Sequence, residues 1–216
     1  MEGWGEYALA WALFLASNVL PARPALRGPL VRRVGEARFA IAYSAVSLAI
    51  LAWLVAAAGR APAWPLWGWA PWQAWVPNLM MPVACVLLAL GAGIPNPFSI
   101  GGARACLYDP ARPGVLALTR HPVLWAVTLW AGAHVPPNGD LAHVLMFGGF
   151  AAFGLAGMRA LDRRRRRAWG AARWAEMAPR QRVNLPPWRV AAGLAAWGVL
   201  AGLHADIIGV PPWPVA

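Results

Sequence analysis

Long apolar runs alternate with short connections rich in proline, arginine and tryptophan. Six runs stand out, at about residues 4–20, 39–58, 76–93, 120–134, 141–161 and 190–209. None alternates apolar and polar positions with the period of two of a barrel strand. A backbone in lipid must also satisfy its own N–H and C=O groups, so all six are predicted to be helices. A helix needs about 20 residues to cross the hydrocarbon, although about 17 can suffice. The fourth run is the shortest, and reaches that length only by drawing in GVLALT upstream, which carries Arg120 close to its lower boundary. The expected fold is an all-α bundle of six transmembrane helices. It forms a single membrane domain, 1–216, closed by a sixth helix at about 190–209.

The arginines orient this bundle. With the N-terminus outside, the inner connections are 21–38, 94–119 and 162–189. Counting helix ends, the first holds Arg23, Arg27, Arg32, Arg33 and Arg38, and the second Arg104, Arg112 and Arg120. The third holds Arg159, Arg163 to Arg167, Arg173, Arg180, Arg182 and Arg189, which leaves Arg60 as the exception. Six spans with both termini outside thus satisfy the positive-inside rule. The N-terminal stretch MEGWGEYALAWALFLASNVL carries Glu2 and Glu6 where a signal peptide is positively charged, and lacks an obvious cleavage site, so it reads as a retained helix.

Composition agrees with this reading. Hydrophobic residues make up 60% of the 216 and charged residues 12%, against roughly 25% charged in an average soluble domain. Mean hydropathy is +0.49. A water-soluble fold of this size cannot hide so much apolar surface, so the lipid bilayer is the expected partner. The net charge of +11 could suggest nucleic acid, but the arginines sit in the connections, where they set membrane orientation; no nucleic acid is expected.

Local features refine the picture without naming a chemistry. Cys85 lies in an apolar run and Cys106 in a loop; with no CxxC or CxxCH they read as packing residues. Trp64, Trp67, Trp69, Trp72 and Trp75 crowd one outer loop, as an interfacial belt would. Gly198 and Gly202 in GVLAG allow close helix contact. The DRRRRR at 162–167 anchors the inner end of a helix and can attract anionic lipid headgroups at the inner face.

The histidines carry the chemical question. His121 follows Arg120 and precedes Pro122, and this RHP reads as a helix start at the inner boundary, with proline in the first turn. His134 ends the same run at the outer boundary, about 20 Å away along a helix, so the two cannot share a ligand. Asp140 is a candidate N-cap for the next helix, with His143 three residues on, and His204 and Asp206 lie near the outer end of the last helix. One reading groups His134, Asp140, His143 and His204 in an outer cluster that handles protons, binds a transition metal or ligates haem iron. The other leaves each as an interfacial residue with its own hydrogen bond. No spacing here matches a metal motif such as HExxH.

Several stretches carry a resemblance: LRGPLVRRVGEARFAIAYSAVSLA, PNPFSIGG, TRHPVLW, AHVPPNGDLAHVLMFG and the DRRRRR that follows. In this order, from about residue 8 to 175, they resemble the NnrU family of bacterial membrane proteins. The resemblance implies an integral protein of the bacterial inner membrane, linked by family name to nitrite and nitric oxide reductase functions in denitrifiers. The family is similar to the plastid 15-cis-zeta-carotene isomerase, a haem b membrane enzyme whose iron is proposed to act on a cis double bond of a lipid-soluble polyene. Of that enzyme's two proposed axial histidines, the one in an AH motif matches His134. Where relatives commonly carry the other, in the first helix, this chain has Asn18. The implied cofactor is haem b with His134 as the iron ligand, and His143 or His204 as the second.

Two other classes are carried forward. One is a non-catalytic scaffold or assembly factor for a respiratory complex. The other is an S-adenosylmethionine-dependent methyltransferase. RHP followed by a basic segment ending in WGAARWAEMA is similar to the small membrane enzymes that methylate isoprenylcysteine or phospholipid. Those enzymes use a later pair of glutamates, where this chain has Asp162 and Arg163.

Overall fold

Each of the six apolar runs becomes a helix, and a seventh helix forms inside a predicted connection. The computed structural model describes residues 3–19, 24–100, 104–179 and 183–214. Glu2, Arg23, Gly101, Gly102, Arg180 and Arg182 lie outside the described residues. The helices are α1 (Trp4–Val19), α2 (Pro24–Val34), α3 (Glu36–Arg60), α4 (Pro71–Gly91), α5 (Pro122–His134), α6 (Leu141–Glu176) and α7 (Pro187–Ile208). Among the described residues there is no strand, only an isolated bridge between Pro65 and Asp140. Four helices, α3, α4, α6 and α7, are long and apolar enough to cross a membrane.

The departures from expectation have local causes. α5 is 13 residues long because GVLALT does not join it. Gly114–Ala117 forms a separate 3-10 turn, and Pro122, at the start of α5, cannot continue a helix from upstream because it lacks an N–H and its ring crowds the preceding turn. α2 lies in the connection 21–38. Its Leu26, Leu30 and Val34 fall four residues apart, on one stripe, so eleven residues suffice for an amphipathic turn of helix far too short to span. α6 runs on past the expected end at 161 to Glu176, with a break at Gly170, whose φ of 75° suits glycine.

The chain divides into two compact units, Met1–Leu66 with Asp140–Met146, and Trp67–Gly139 with Phe147–Ala216. In the first, α1 packs on α3 through buried Ala10, Leu54, Ala57 and Ala58. Small side chains let two backbones approach where lipid offers no hydrophobic force between helices. Glu6 accepts hydrogen bonds from Trp53 Nε1 at 2.8 Å and from Arg60 at 2.5 and 3.2 Å. Arg60, the arginine that broke the inner pattern, therefore has its countercharge on α1. The Tyr7 hydroxyl donates to the Ala142 carbonyl at 2.7 Å. Asp140 caps the start of α6 as expected, accepting from the Ala142 N–H at 3.1 Å and from the Trp64 N–H at 2.8 Å. Burial pushes its carboxyl up, but those two amides and His143 outweigh that and hold it below the ordinary range.

In the second unit α4 is central, packed by α5 and by α7. The connection 94–119 is not a loose loop. Phe98 is fully buried, ringed edge-on by Tyr108, Trp169 and Trp174 at 5.4–5.7 Å. It joins Leu90, Val115 and Leu116 in an apolar plug. The close approach of α7 falls at Gly193, not at Gly198 and Gly202. A Cβ at 193 would lie 2.6 Å from Val86 Cα and 2.9 Å from the Cys85 carbonyl, while at 198 and 202 it would meet nothing within 4 Å. Among the described residues, Gly198 and Gly202 of the GVLAG stripe thus make no close contact. The outer-loop tryptophans Trp64, Trp67, Trp69, Trp72 and Trp75 are all exposed.

These contacts predict opposite outcomes for one substitution at two positions. Gly193→Ala should destabilise the protein by about 1–3 kcal/mol through overpacking. Gly198→Ala should be neutral, or stabilising by up to about 1 kcal/mol, because alanine favours the helix. Thermal unfolding of both variants in detergent measures the difference.

Candidate functional site

Asp162 accepts three side-chain hydrogen bonds from two residues. It lies on α6, one residue before the arginine run. The Arg120 guanidinium grips its carboxylate at two points, Nε to Oδ1 at 3.1 Å and Nη2 to Oδ2 at 2.5 Å. The His121 Nε2 sits 3.0 Å from Oδ1. A carboxylate held by arginine only accepts, so Nε2 carries the hydrogen and the lone pair of the neutral ring lies on Nδ1. That Nδ1 is buried with no hydrogen-bond partner among the described residues, and His121 as a whole is 4% exposed. An unmet buried acceptor costs about 1–3 kcal/mol.

Three segments position this node. Asn96, from PNPF, accepts the N–H groups of Phe98 and Ser99 on its Oδ1 at 2.8 and 3.2 Å, which fixes a tight turn. Its Nδ2 then donates to the Arg120 carbonyl at 3.0 Å. The Thr119 hydroxyl accepts the His121 N–H at 3.1 Å, just before α5 begins. Pro122 is fully buried, its ring where a Cβ on Gly91 would have to be. The RHP is thus a helix start, as its sequence predicted, clamped against the end of α4. Arg120 also lies over the Trp174 ring, 5.2 Å from its centre.

Beside the node lies a recess of about 290 Å³. Leu118, Trp125, Leu155 and Met158 give it apolar walls, and Thr119, His121 and Arg159 its polar part. A larger cavity of about 490 Å³ lies near Tyr108, Arg112, Asn184 and Arg189. Its cations are committed to structure: Arg112 pairs with Asp109, and Arg189 donates to the Ala89 and Ala92 carbonyls at 2.8 and 2.9 Å, closing the end of α4. Burial pushes the Tyr108 phenol up, and the neighbouring Asp109 charge adds to this.

The remaining candidate residues fall in different places. His134 ends α5, tilted against Trp130 and Phe147 with ring centres 5.7 and 5.3 Å away. Its Nδ1 donates to the Trp130 carbonyl at 2.6 Å, so the lone pair lies on Nε2. His204 has the same arrangement, Nδ1 donating to the Val210 carbonyl at 2.7 Å, and it lies near enough to His134 for their charges to interact. His143 belongs to the first unit and pairs with Asp140 at 3.2 Å. Asn18 spends its amide nitrogen on the Phe14 carbonyl of its own helix at 2.8 Å. Among the described residues, no three His, Cys, Asp or Glu side chains are grouped to hold a metal ion. Cys85 is buried and Cys106 exposed, and both are free thiols.

Sequence reasoning found His121, Arg120 and Pro122 but missed Asp162 and Asn96 as their partners. The signal for Asp162 was present: it is a lone acid opening an arginine run at the end of an apolar helix, where an unpaired carboxylate is costly.

These observations define an all-α, membrane-embedded protein whose apolar helices contact lipid. The chain belongs to the NnrU family, described as NnrU protein, which it matches over residues 6–212. That span runs past residue 175 to take in α7 and His204. No curated protein and no solved structure matches the chain.

Asp162→Asn should weaken the charge-assisted bonds to Arg120 and His121 and cost about 1–3 kcal/mol. Arg163→Asn, one residue away on the exposed surface, should leave stability within about 0.5 kcal/mol. Equal melting temperatures for the two variants in detergent would refute the node's structural role.

Proposed function

We propose that this chain is a haem-associated, isomerase-like protein of the bacterial inner membrane, acting on a lipid-soluble polyene or a quinone-like lipid. Its family name ties it to denitrification. One observation carries the reading: the Nδ1–H of His134 is committed to the Trp130 carbonyl. A histidine that ligates metal commonly gives its other ring hydrogen to a carbonyl or carboxylate, which fixes the tautomer and aims the free nitrogen. His204 has the same tautomer and is the candidate for a second ligand where the iron takes one. His143 also turns its Nδ1 to an acceptor, the Asp140 carboxylate, within the first unit. Asn18, at the relatives' histidine position, has turned its amide to its own helix. Haem b would supply an iron centre able to act on a double bond. The chain's own part is to hold and orient imidazoles and to exclude water with Trp130, Phe147 and Phe150.

The topology that accompanies this reading has six spans and both termini outside, with α1 and α5 as short spans beside the four longer ones. The single membrane domain 1–216 and attraction of anionic headgroups to the exposed Arg163–Arg167 face belong to the same picture. The methyltransferase reading loses ground, because the carboxylate at its expected place, Asp162, is engaged by Arg120 and His121. A scaffold without catalysis is the reading that remains if no haem binds.

Reporter fusions after Gly35, Pro110 and Arg180 should be cytoplasmic, and those after Trp67, Asn138 and Pro214 outside. A cytoplasmic C-terminus would overturn the six-span topology.

Protein purified from haem-replete cells should show the Soret band of haem b, substoichiometric or with a five-coordinate iron. His134→Ala should abolish it. His121→Ala should not, because about 20 Å of helix separates the two. Absence of the band in the unmodified protein would favour the scaffold, and an unchanged band in His134→Ala would show that another residue holds the iron.

A further inference from the structure

The short helix α2 has no part in the haem reading. Its Leu26, Leu30 and Val34 share one stripe and are each 44–47% exposed. Arg33, three residues after Leu30, borders that stripe, and Arg32 lies across the helix from it. Both arginines are exposed, and neither has an ion pair among the described residues. The other arginine of the helix, Arg27, is committed to α3. It pairs with Glu36 and lies over the Phe39 ring, 5.8 Å from its centre.

The join between α2 and α3 is one residue long. The Gly35 N–H donates to the Val31 carbonyl at 2.8 Å and closes α2; the Gly35 carbonyl accepts from the Phe39 N–H at 3.0 Å and opens α3. The φ of 84° at Gly35 suits glycine and turns the chain between the two helices. α3 is long and apolar enough to cross a membrane, and Ile41, Val46 and Leu48 in its first half are 55–70% exposed. Its length of about 37 Å exceeds the hydrocarbon thickness of about 30 Å, so its charged ends, Glu36 and Arg38 at one and Arg60 at the other, reach the headgroup zone. α2 is about 16 Å long and cannot span. Tied to the first turn of α3 by Gly35 and by Arg27, it is held at that same depth.

We propose that α2 is an interfacial helix, lying in the membrane surface at the Glu36 end of α3. Leu26, Leu30 and Val34 enter the acyl boundary, and Arg32 and Arg33 meet anionic headgroups. The partner is the lipid surface that α3 already enters, which makes the exposed stripe continuous with the exposed first half of α3. The run Arg163–Arg167 attracts lipid by charge alone, whereas α2 adds an apolar stripe that inserts. Under the topology proposed above this leaflet is the inner one. Depth is read separately from sidedness, so a failed fusion test leaves this proposal standing.

The test uses the full chain in nanodiscs of phosphatidylcholine with about a third phosphatidylglycerol, with Cys85→Ala and Cys106→Ser as background. A nitroxide on Leu30→Cys or on Arg32→Cys reports collisions with oxygen, which concentrates among acyl chains, and with a water-soluble nickel chelate. Both positions are exposed, so the labels should not disturb folding. The ratio of oxygen to nickel collisions at position 30 should be about threefold or more that at position 32, with the label about 5–10 Å below the headgroups. Arg32→Gln with Arg33→Gln should lower the ratio at position 30 about twofold in this mixture and leave it unchanged in phosphatidylcholine alone. Equal ratios at 30 and 32 would place the stripe in water and overturn the proposal. Shielding of position 30 from both reagents would overturn it as well, because protein, a second copy for instance, would then cover the stripe. The same response to the double substitution in both lipids would overturn the role given to the two arginines.

Discussion

A carboxylate placed where an apolar helix ends cannot be left alone, and the pairing of Asp162 with Arg120 and His121 governs much of the second unit. The partners come from the residues just before α5, so α5 must begin where it does for the pair to form. Asn96 holds the Arg120 carbonyl and also folds the turn that buries Phe98. Phe98 in turn packs against Trp169 and Trp174, which lie on α6 beyond Asp162. One ion pair is thus tied to an apolar plug through a single amide side chain. The charge fixes where the segments meet.

Packing between the helices follows a different rule. Lipid is as apolar as leucine, so burial alone gives helices no reason to associate, and close backbone approach must supply the contact. Gly193 on α7 and Gly91 on α4 provide it, each with a neighbour where a side chain would otherwise be. The sequence pattern alone would have chosen Gly198 and Gly202, because they form the familiar four-residue spacing. Spacing shows that two glycines share a face; it does not show that a helix lies opposite that face.

The same distinction explains what could be read in advance. Helix class and the six apolar runs follow from hydropathy, which depends on each residue's own side chain. The RHP helix start and the Asp140 cap were also legible, being local rules about proline and about a short acceptor before a helix. α2 does not stand out in hydropathy because its eleven residues carry only a narrow apolar stripe among arginines and are far shorter than a span. The extent of α5 was uncertain for a reason the structure makes plain: Pro122 separates two apolar pieces that hydropathy would merge. Asp162 with His121 was invisible because the two are 41 positions apart, and only the fold brings them together. Arg60 was an exception in sequence for the same reason, since its partner Glu6 lies on another helix.

The histidines show how a partner chosen by the fold sets what each ring can do. His134 and His204 give their Nδ1 hydrogens to backbone carbonyls, which are neutral dipoles. Such a partner orients the ring and frees Nε2 without adding charge. His121 gives its Nε2 hydrogen to a carboxylate instead, and keeps the opposite nitrogen. If that nitrogen gains a hydrogen, the new positive charge already has a negative partner, one shared with Arg120. The first arrangement frees a nitrogen on a ring held by a neutral dipole; the second leaves a buried nitrogen on a ring held by a charge. The imidazoles at the two ends of α5 are therefore not interchangeable, although the sequence presents them as the same residue at either end of one apolar run.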